Sequence, residues 1–373
     1  EDRTGATVTF SSTEGADIGA VLDDRLAVDD PPDVAVLPQP ALLERYARAG
    51  DVVPVDDVVG EEVRAGWAPV WVRLGTVDGD LYGVWFKAAN KSLIWYSITA
   101  FEEVGLVPPA DLDGLDAAAA ALAAHGVPAF SLPGVAGDAW VLTDWFENVY
   151  LRTAGPDRYD ALAARRLPWT DPSVVEALRL MASLLEPDRI ARVQDATFPD
   201  TVGDVFSSPP RAAMVMEGDF VPGVLGDRGR RRVGTDVDVF PFPGPAPTDR
   251  GVVVGGDAAV LMRASPGGRA LLEFLASTEA AEVWAGLGGF VSPNQGVDLG
   301  AYPDAPTRRI ARALLEAGDQ LRFDLSDLQP VAFGATTGAG LWAELSAFVA
   351  DPTDVEATAD RIEAAADAAW TAR

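Results

Sequence analysis

One histidine and no cysteine stand among 373 residues, and this scarcity bounds the chemistry before any motif does. His125 precedes Gly126 at the end of the alanine-rich run Asp116 to Ala124, where a cation offsets the helix dipole, so it is read as a cap. Thiolate nucleophiles, disulfides, common zinc sites and histidine-based triads are excluded, and neither a metal nor a cofactor is expected. Carboxylates are abundant, at 57 Asp and Glu, but abundance gives no particular glycosidase-like pair any weight. Trp140 is more informative. It follows the loop Pro133 to Asp138 and opens a helical run carrying Asp144, Trp145 and Asn148. A loop tip opening a helix is where a binding aromatic sits. Asp144 either faces a ligand there or is a first-turn acid satisfying the helix dipole.

The elements that must hold these residues are read from periodicity. Val8 to Ser12 reads as a short strand, Ile18 to Ala27 as a helix, Val34 to Leu37 as a buried strand, and Gln39 to Ala49 as a helix closed by Gly50. This alternation predicts a parallel sheet with crossover helices, and the unbroken apolar run at 34–37 predicts a strand covered on both faces. Leu81 to Phe86 and Ser92 to Ser97 are further apolar runs. Helices follow from Asp113, over Trp140 to Thr153 and over Asp171 to Leu185. Strands return at Asp236 to Phe240 and Val252 to Met262, and helices at Gly268 to Ala276, Glu279 to Gly286, Thr307 to Ala317, Leu341 to Ala350 and Val355 to Trp370. No fixed-period repeat stands out.

The length and a hydrophobic content of 48% suit two domains. No run approaches the ~20 apolar residues of a membrane span. A net charge of −28 repels nucleic acid and anionic membrane surfaces. Lys87 and Lys91 are the only lysines. They read as the residue of an arginine-favouring, GC-rich coding bias rather than as a site.

Several segments, in order, carry a resemblance: Asp30-Pro31-Pro32-Asp33 through Pro38-Gln39-Pro40, Asn90 to Tyr96, Gly137 to Trp145, Arg152 to Asp160, Gly255-Gly256-Asp257, Leu287 to Pro293 with Phe290, and Arg322 to Leu328. Together they resemble the sugar-binding proteins of ATP-binding-cassette importers, above all the alpha-glucoside group and more distantly maltose-binding protein. The resemblance implies an α/β fold of the periplasmic-binding-protein type (type II), with two α/β lobes joined by crossing hinge segments. One lobe would hold residues 1–96 and 255–318, the other 97–254 and 319–373, with hinges near Tyr96, Gly255 and Leu321. It also implies that Glu1 to Val8 is the entry to the family's second strand, so that about 30–45 residues precede Glu1 and the first-lobe sheet has an unfilled strand position.

Sugar rings present apolar C–H faces and a rim of hydroxyls, so a sugar site needs flat aromatic platforms with convergent carboxylates, amides and guanidinium groups. The resemblance assigns such roles to Gln39, Trp140, Asp144, Trp145, Glu217, Asp219, Phe220, Gly256, Asp257, Phe290, Arg322, Asp324 and Trp342. Phe220 matches a sugar-stacking position. Trp342 either stacks or faces the core. Gly255 and Gly256 allow close ligand approach, positive φ or a bulge. Arg322 and Asp324 form either a hydroxyl-orienting pair or a structural ion pair. Trp67, Trp71, Trp85, Trp284 and Trp370 are assigned to the core.

The expected function is a non-enzymatic receptor for a neutral di- or oligosaccharide, partnered by a membrane permease, with no nucleic-acid partner and monomeric. It would be extracellular, lipid-anchored at the cell surface or periplasmic. The alternative is the same fold as an extracellular sensor module of a signalling protein.

Overall fold

Buried strands need partners for every N–H and C=O, and among the described residues they find them in two larger sheets and a two-stranded one. The computed structural model describes residues 5, 7–12, 18–192, 195–230, 232–246, 248–249, 251–289 and 291–371. The strands include β1 (Val34–Leu37), β2 (Gly83–Asn90), β3 (Leu93–Ser97), β4 (Phe130–Leu132), β5 (Ile190–Arg192), β6 (Met214–Met216), β7 (Val237–Pro241), β8 (Val252–Leu261) and β9 (Leu321–Phe323). The helices include α1 (Ile18–Ala27), α2 (Pro40–Ala49), α3 (Trp140–Ala154), α4 (Pro172–Leu184), α5 (Phe198–Phe206), α6 (Ala305–Ala317), α7 (Gly340–Ala350) and α8 (Val355–Thr371).

The chain divides into two units, residues 1–88 with 256–287 and 292–302, and residues 89–255 with 288–291 and 303–373. It passes between them within β2, within β8, and again after residues 287, 291 and 302. This differs from the boundaries expected at 96 and 318. β3 belongs to the second unit because it pairs antiparallel with β6 and β7 there, which also places Tyr96 inside a ladder rather than at a crossing. Helix α6 belongs there too, and Arg309 on it reaches Asp238 of β7 at 2.6 Å. Leu321 likewise lies inside a ladder, opposite Val252.

In the first unit β1 pairs with residues 258–261 of β8, Leu37 opposite Ala258. The pairing is antiparallel, not parallel, and burial along β1 alternates, with Val36 exposed. A short apolar run specifies a strand but not its partner's direction. Helix α2 carries Pro40 at its start and ends on Gly50, whose φ of 80° is the left-handed cap its N–H bonds require. Val8 to Ser12 form no strand; Val8 and Phe10 are 49% and 82% exposed.

The second unit is built on a five-stranded sheet in the order β5-β4-β6-β3-β7, parallel from β5 to β6 and antiparallel beyond. Helix α3 is its centre. It packs against α4 and α7, and every residue from Val141 to Arg152 is buried. A helix buried all round must satisfy any polar side chain it carries with protein partners. Its sequence nonetheless carries Thr143, Asp144, Glu147, Asn148 and Arg152, and their partners define the site.

Candidate functional site

Asp144, Glu147 and Asn148 recur at i, i+3 and i+4 and so share one face of α3. That face meets the crossing segment Asn90-Lys91-Ser92. Asn148 donates through Nδ2 to the carbonyls of Lys91 (3.0 Å) and Asp144 (2.9 Å), and its Oδ1 accepts from the Ser92 hydroxyl at 2.5 Å. Ser92 Oγ in turn accepts from Val253 N–H, Lys91 N–H donates to Val253 O, and Asp219 accepts from Asn90 N–H at 2.9 Å. Residues 90–92 are therefore pinned from three directions. Glu147 accepts from the N–H groups of Leu325 (2.8 Å) and Ser326 (2.9 Å) and from the Tyr159 hydroxyl (3.1 Å), which fixes the segment that presents Asp324.

Lys91 occupies the middle. Its ammonium lies 2.5 Å from Asp324 Oδ2 and 3.1 Å from Asp144 Oδ2, and 5.7 Å from the centre of the Trp140 ring. Burial alone would lower its pKa, but the charges of Asp144 and Asp324 raise it well above the usual lysine value. Burial would raise Asp324, and Lys91 overcomes it, holding the carboxyl down at about 2. Glu217 is pushed up to about 7 by burial, with Lys91 opposing. Asp144 is raised well above the carboxylate range by burial and by Glu217, and Glu147 by burial and by Asp324. Asp144, Glu147 and Asp324 bring oxygens within 4.8 Å of one another, a spacing that admits a cation. The cation present is the Lys91 ammonium, so these carboxylates are not read as metal ligands.

Trp140, next to Lys91, belongs to a group of aromatic rings. Trp140 meets Phe198 edge-on at 4.9 Å and Phe220 at 6.3 Å. Phe198 is set by its helix start: Thr197 and Asp200 form a reciprocal capping box at the head of α5, and Asp138 accepts from Phe198 N–H at 2.7 Å. Phe220 folds back over Gly218, where a Cβ would lie 2.4 Å from its ring. Trp140 and Phe220 are half-buried, Phe198 buried.

The structure thus brings together, within the second unit, Trp140, Asp144, Glu217, Asp219, Phe220 and Asp324. Two expectations fail. Trp145 is 0% exposed, wedged edge-on between Phe130 and Phe242, and is core. Arg322 does not pair with Asp324; its Nε lies 2.6 Å from Asp160 Oδ1 and it donates to the carbonyls of Asp319 and Leu321. Asp324, one residue past the end of β9, turns instead to Lys91. Trp342 is half-buried near the start of α7, its indole N–H shielded from solvent without a hydrogen-bond partner. Phe290 lies outside the described residues.

Lys91 and Glu147 are the residues that sequence reasoning missed. A lone charge between the apolar runs of β2 and β3 is the signal that would have found Lys91. Lys87, also set aside, pairs with Asp257 at 2.5 Å in the first unit. There β1 places Gln39 just beyond the end of the ladder at which Asp257 precedes Ala258. Gly256 is a packing requirement rather than a positive-φ turn: a Cβ would meet Lys87 O at 2.5 Å and the rings of Trp71 and Trp85 at 3.3 Å. Trp67, Trp71 and Trp85 are core as expected, and Trp284 and Trp370 are half-buried. His125 caps its helix, its Nδ1 2.8 Å from Ala121 O.

A family model described as bacterial extracellular solute-binding protein matches residues 1–310. The chain belongs to that family. It is 33% identical to the osmoprotective compounds-binding protein GgtB of Synechocystis sp., over 96% of this chain and 86% of that protein. With the alpha-glucosides-binding periplasmic protein AglE of Rhizobium meliloti it shares 30% identity over 96% of this chain and 80% of the relative. Among solved structures, the bacterial solute receptor AcbH, described as preferring β-D-galactopyranose, superposes with a TM-score of 0.78 at 18% identity, covering 94% of this chain and 88% of that one. The fold is therefore the expected periplasmic-binding-protein type, and family membership makes the chain a solute-binding protein rather than an enzyme. Among the described residues no helix is long and apolar enough to cross a membrane.

Proposed function

We propose that this solute-binding protein captures a neutral di- or oligosaccharide, an alpha-glucoside, and delivers it to the membrane permease of an ATP-binding-cassette importer. The observation that carries this reading is the half-buried ring of Trp140, with Phe220 6.3 Å from it on one side and the ammonium of Lys91, held by buried carboxylates, 5.7 Å from its centre. A flat apolar platform next to a polar rim suits a pyranose, whose C–H face stacks while its hydroxyls find partners. The alpha-glucosides named for the relative AglE support the choice of glucoside. Gln39, Asp257 and Trp342 remain candidate contacts under this reading.

The protein acts as an exported monomer, periplasmic or lipid-anchored. The sensor-module reading gains no support from the relatives named above. A thermal-shift screen over maltose, trehalose, sucrose, a sugar phosphate and amino acids tests the substrate class, since a ligand at 100 times its Kd raises stability by about 2.7 kcal/mol. Stabilisation by a neutral sugar is expected. Stabilisation by the sugar phosphate or amino acids alone contradicts the proposal.

A further inference from the structure

We propose that Lys91 is a specificity-determining ligand contact of the aromatic site in the second unit. In this role it donates from its ammonium to a neutral acceptor oxygen, a hydroxyl or ring oxygen, of the sugar laid against Trp140. The inference rests on the sugar reading above and adds the residue that reads the ligand's oxygens.

Around Lys91, the acids that the sequence marked as contacts are not the groups that face outward. Asp144 is sealed at 0% side-chain exposure and Asp324 at 2%, whereas Lys91 retains 13%. Glu147 and Glu217 are sealed as well. The lysine is therefore the member of this charge cluster with reach to a ligand, and the acids position it. Two carboxylates take two of its three donor directions, and the ammonium stands 5.7 Å from the centre of the Trp140 ring. The rim of a sugar stacked on or beside that indole falls within its reach.

The surroundings are arranged for this side chain. The backbone of Lys91 is fixed at both polar groups, by Val253 O and by Asn148 Nδ2. Its stem runs past Gly255, where a Cβ would stand 2.9 Å from Lys91 Cε. A neutral acceptor fits better than an anion, because an anionic group would approach Asp144 and Asp324 behind the ammonium, and the cluster already holds more carboxyls than cations. A donor held in a fixed direction discriminates strongly between ligands that offer an oxygen there and those that do not.

The test is calorimetric titration of the whole chain with maltose, trehalose and sucrose. It compares the natural protein with the variant Lys91→Met plus Asp324→Asn, which removes the donor while keeping the buried charges balanced. The natural protein is expected to bind at least one of the sugars, and the folded double variant to bind it about 10- to 100-fold more weakly, as loss of a hydrogen bond to a charged group implies. Equal affinity in a folded double variant overturns the assignment while leaving the sugar reading standing. Silence of the natural protein toward all three sugars overturns both. If the double variant does not fold, Lys91→Arg keeps the charge and changes the donor geometry. A changed affinity order among the sugars is then expected, and an unchanged order with unchanged affinities overturns the assignment.

Discussion

A Cβ placed on Gly255 would lie 2.9 Å from Cε of Lys91. One residue on, a Cβ at Gly256 would press on the Lys87 carbonyl oxygen and on the rings of Trp71 and Trp85. Adjacent glycines thus exclude side chains for different reasons. At 255 the neighbour is the far end of a flexible stem that can swing away, whereas at 256 it is backbone and two buried indoles that cannot.

Gly255→Ala is therefore expected to fold with a stability loss below about 1 kcal/mol but to displace the ammonium and weaken ligand binding several-fold. Gly256→Ala should cost about 1–3 kcal/mol through overpacking. Denaturant melts with calorimetry on both variants check this. Similar losses of stability in both would remove the distinction.

The buried carboxyls predict a pH dependence of stability. Burial pushes Glu217 from 4.5 up to about 7, so between those values the folded state holds a proton that the unfolded state has lost. The slope of unfolding free energy with pH is then negative: stability is fully present below the unfolded pKa and declines as pH rises through about 7. A shift of that size corresponds to about 3 kcal/mol. Asp324, held down at about 2, acts with the opposite sign, its contribution being lost only as pH falls through that value. The melting temperature should drop between pH 5 and pH 8, and drop less in Glu217→Gln. Identical profiles for the two proteins would place the titration elsewhere.

Arg322 supplies a negative control. Its guanidinium is spent on Asp160 and on two carbonyls, so Arg322→Gln should leave sugar affinity unchanged within about two-fold. A partly exposed pair of this kind contributes less than about 1 kcal/mol to stability. A ten-fold loss of affinity with an intact fold would return Arg322 to the binding site.

What could be read from the sequence was local. The strand Val34–Leu37 and the helix Ile18–Ala27 are found at their expected ends, because a run of apolar residues or a cap is written in neighbouring positions. The helix opened by Trp140 is legible for the same reason, whereas Glu147 on it was missed because its partners, the N–H groups of Leu325 and Ser326, lie far along the chain. The direction of β1's partner was not legible, since one strand carries no record of which way its neighbour runs. Lys91 was missed because its partners stand 53 and 233 positions away; only the fold shows that the lysine pairs with both. Conversely, Arg322 and Asp324 read as a pair because they are close in sequence, but the end of β9 falls between them and sends them to different partners.

Under the proposed function, an aromatic platform headed by Trp140 binds a neutral sugar. Calorimetry of the natural chain and of Trp140→Ala with maltose, trehalose and sucrose, at low and high salt, tests it most directly. Saturable binding of at least one sugar is expected, nearly independent of salt because a neutral ligand gains little from long-range charge. A loss of about 1–3 kcal/mol is expected in Trp140→Ala, with the variant still folded. Absence of heat with every sugar while a peptide or a metal ion titrates, or unchanged affinity in a folded Trp140→Ala, would contradict it.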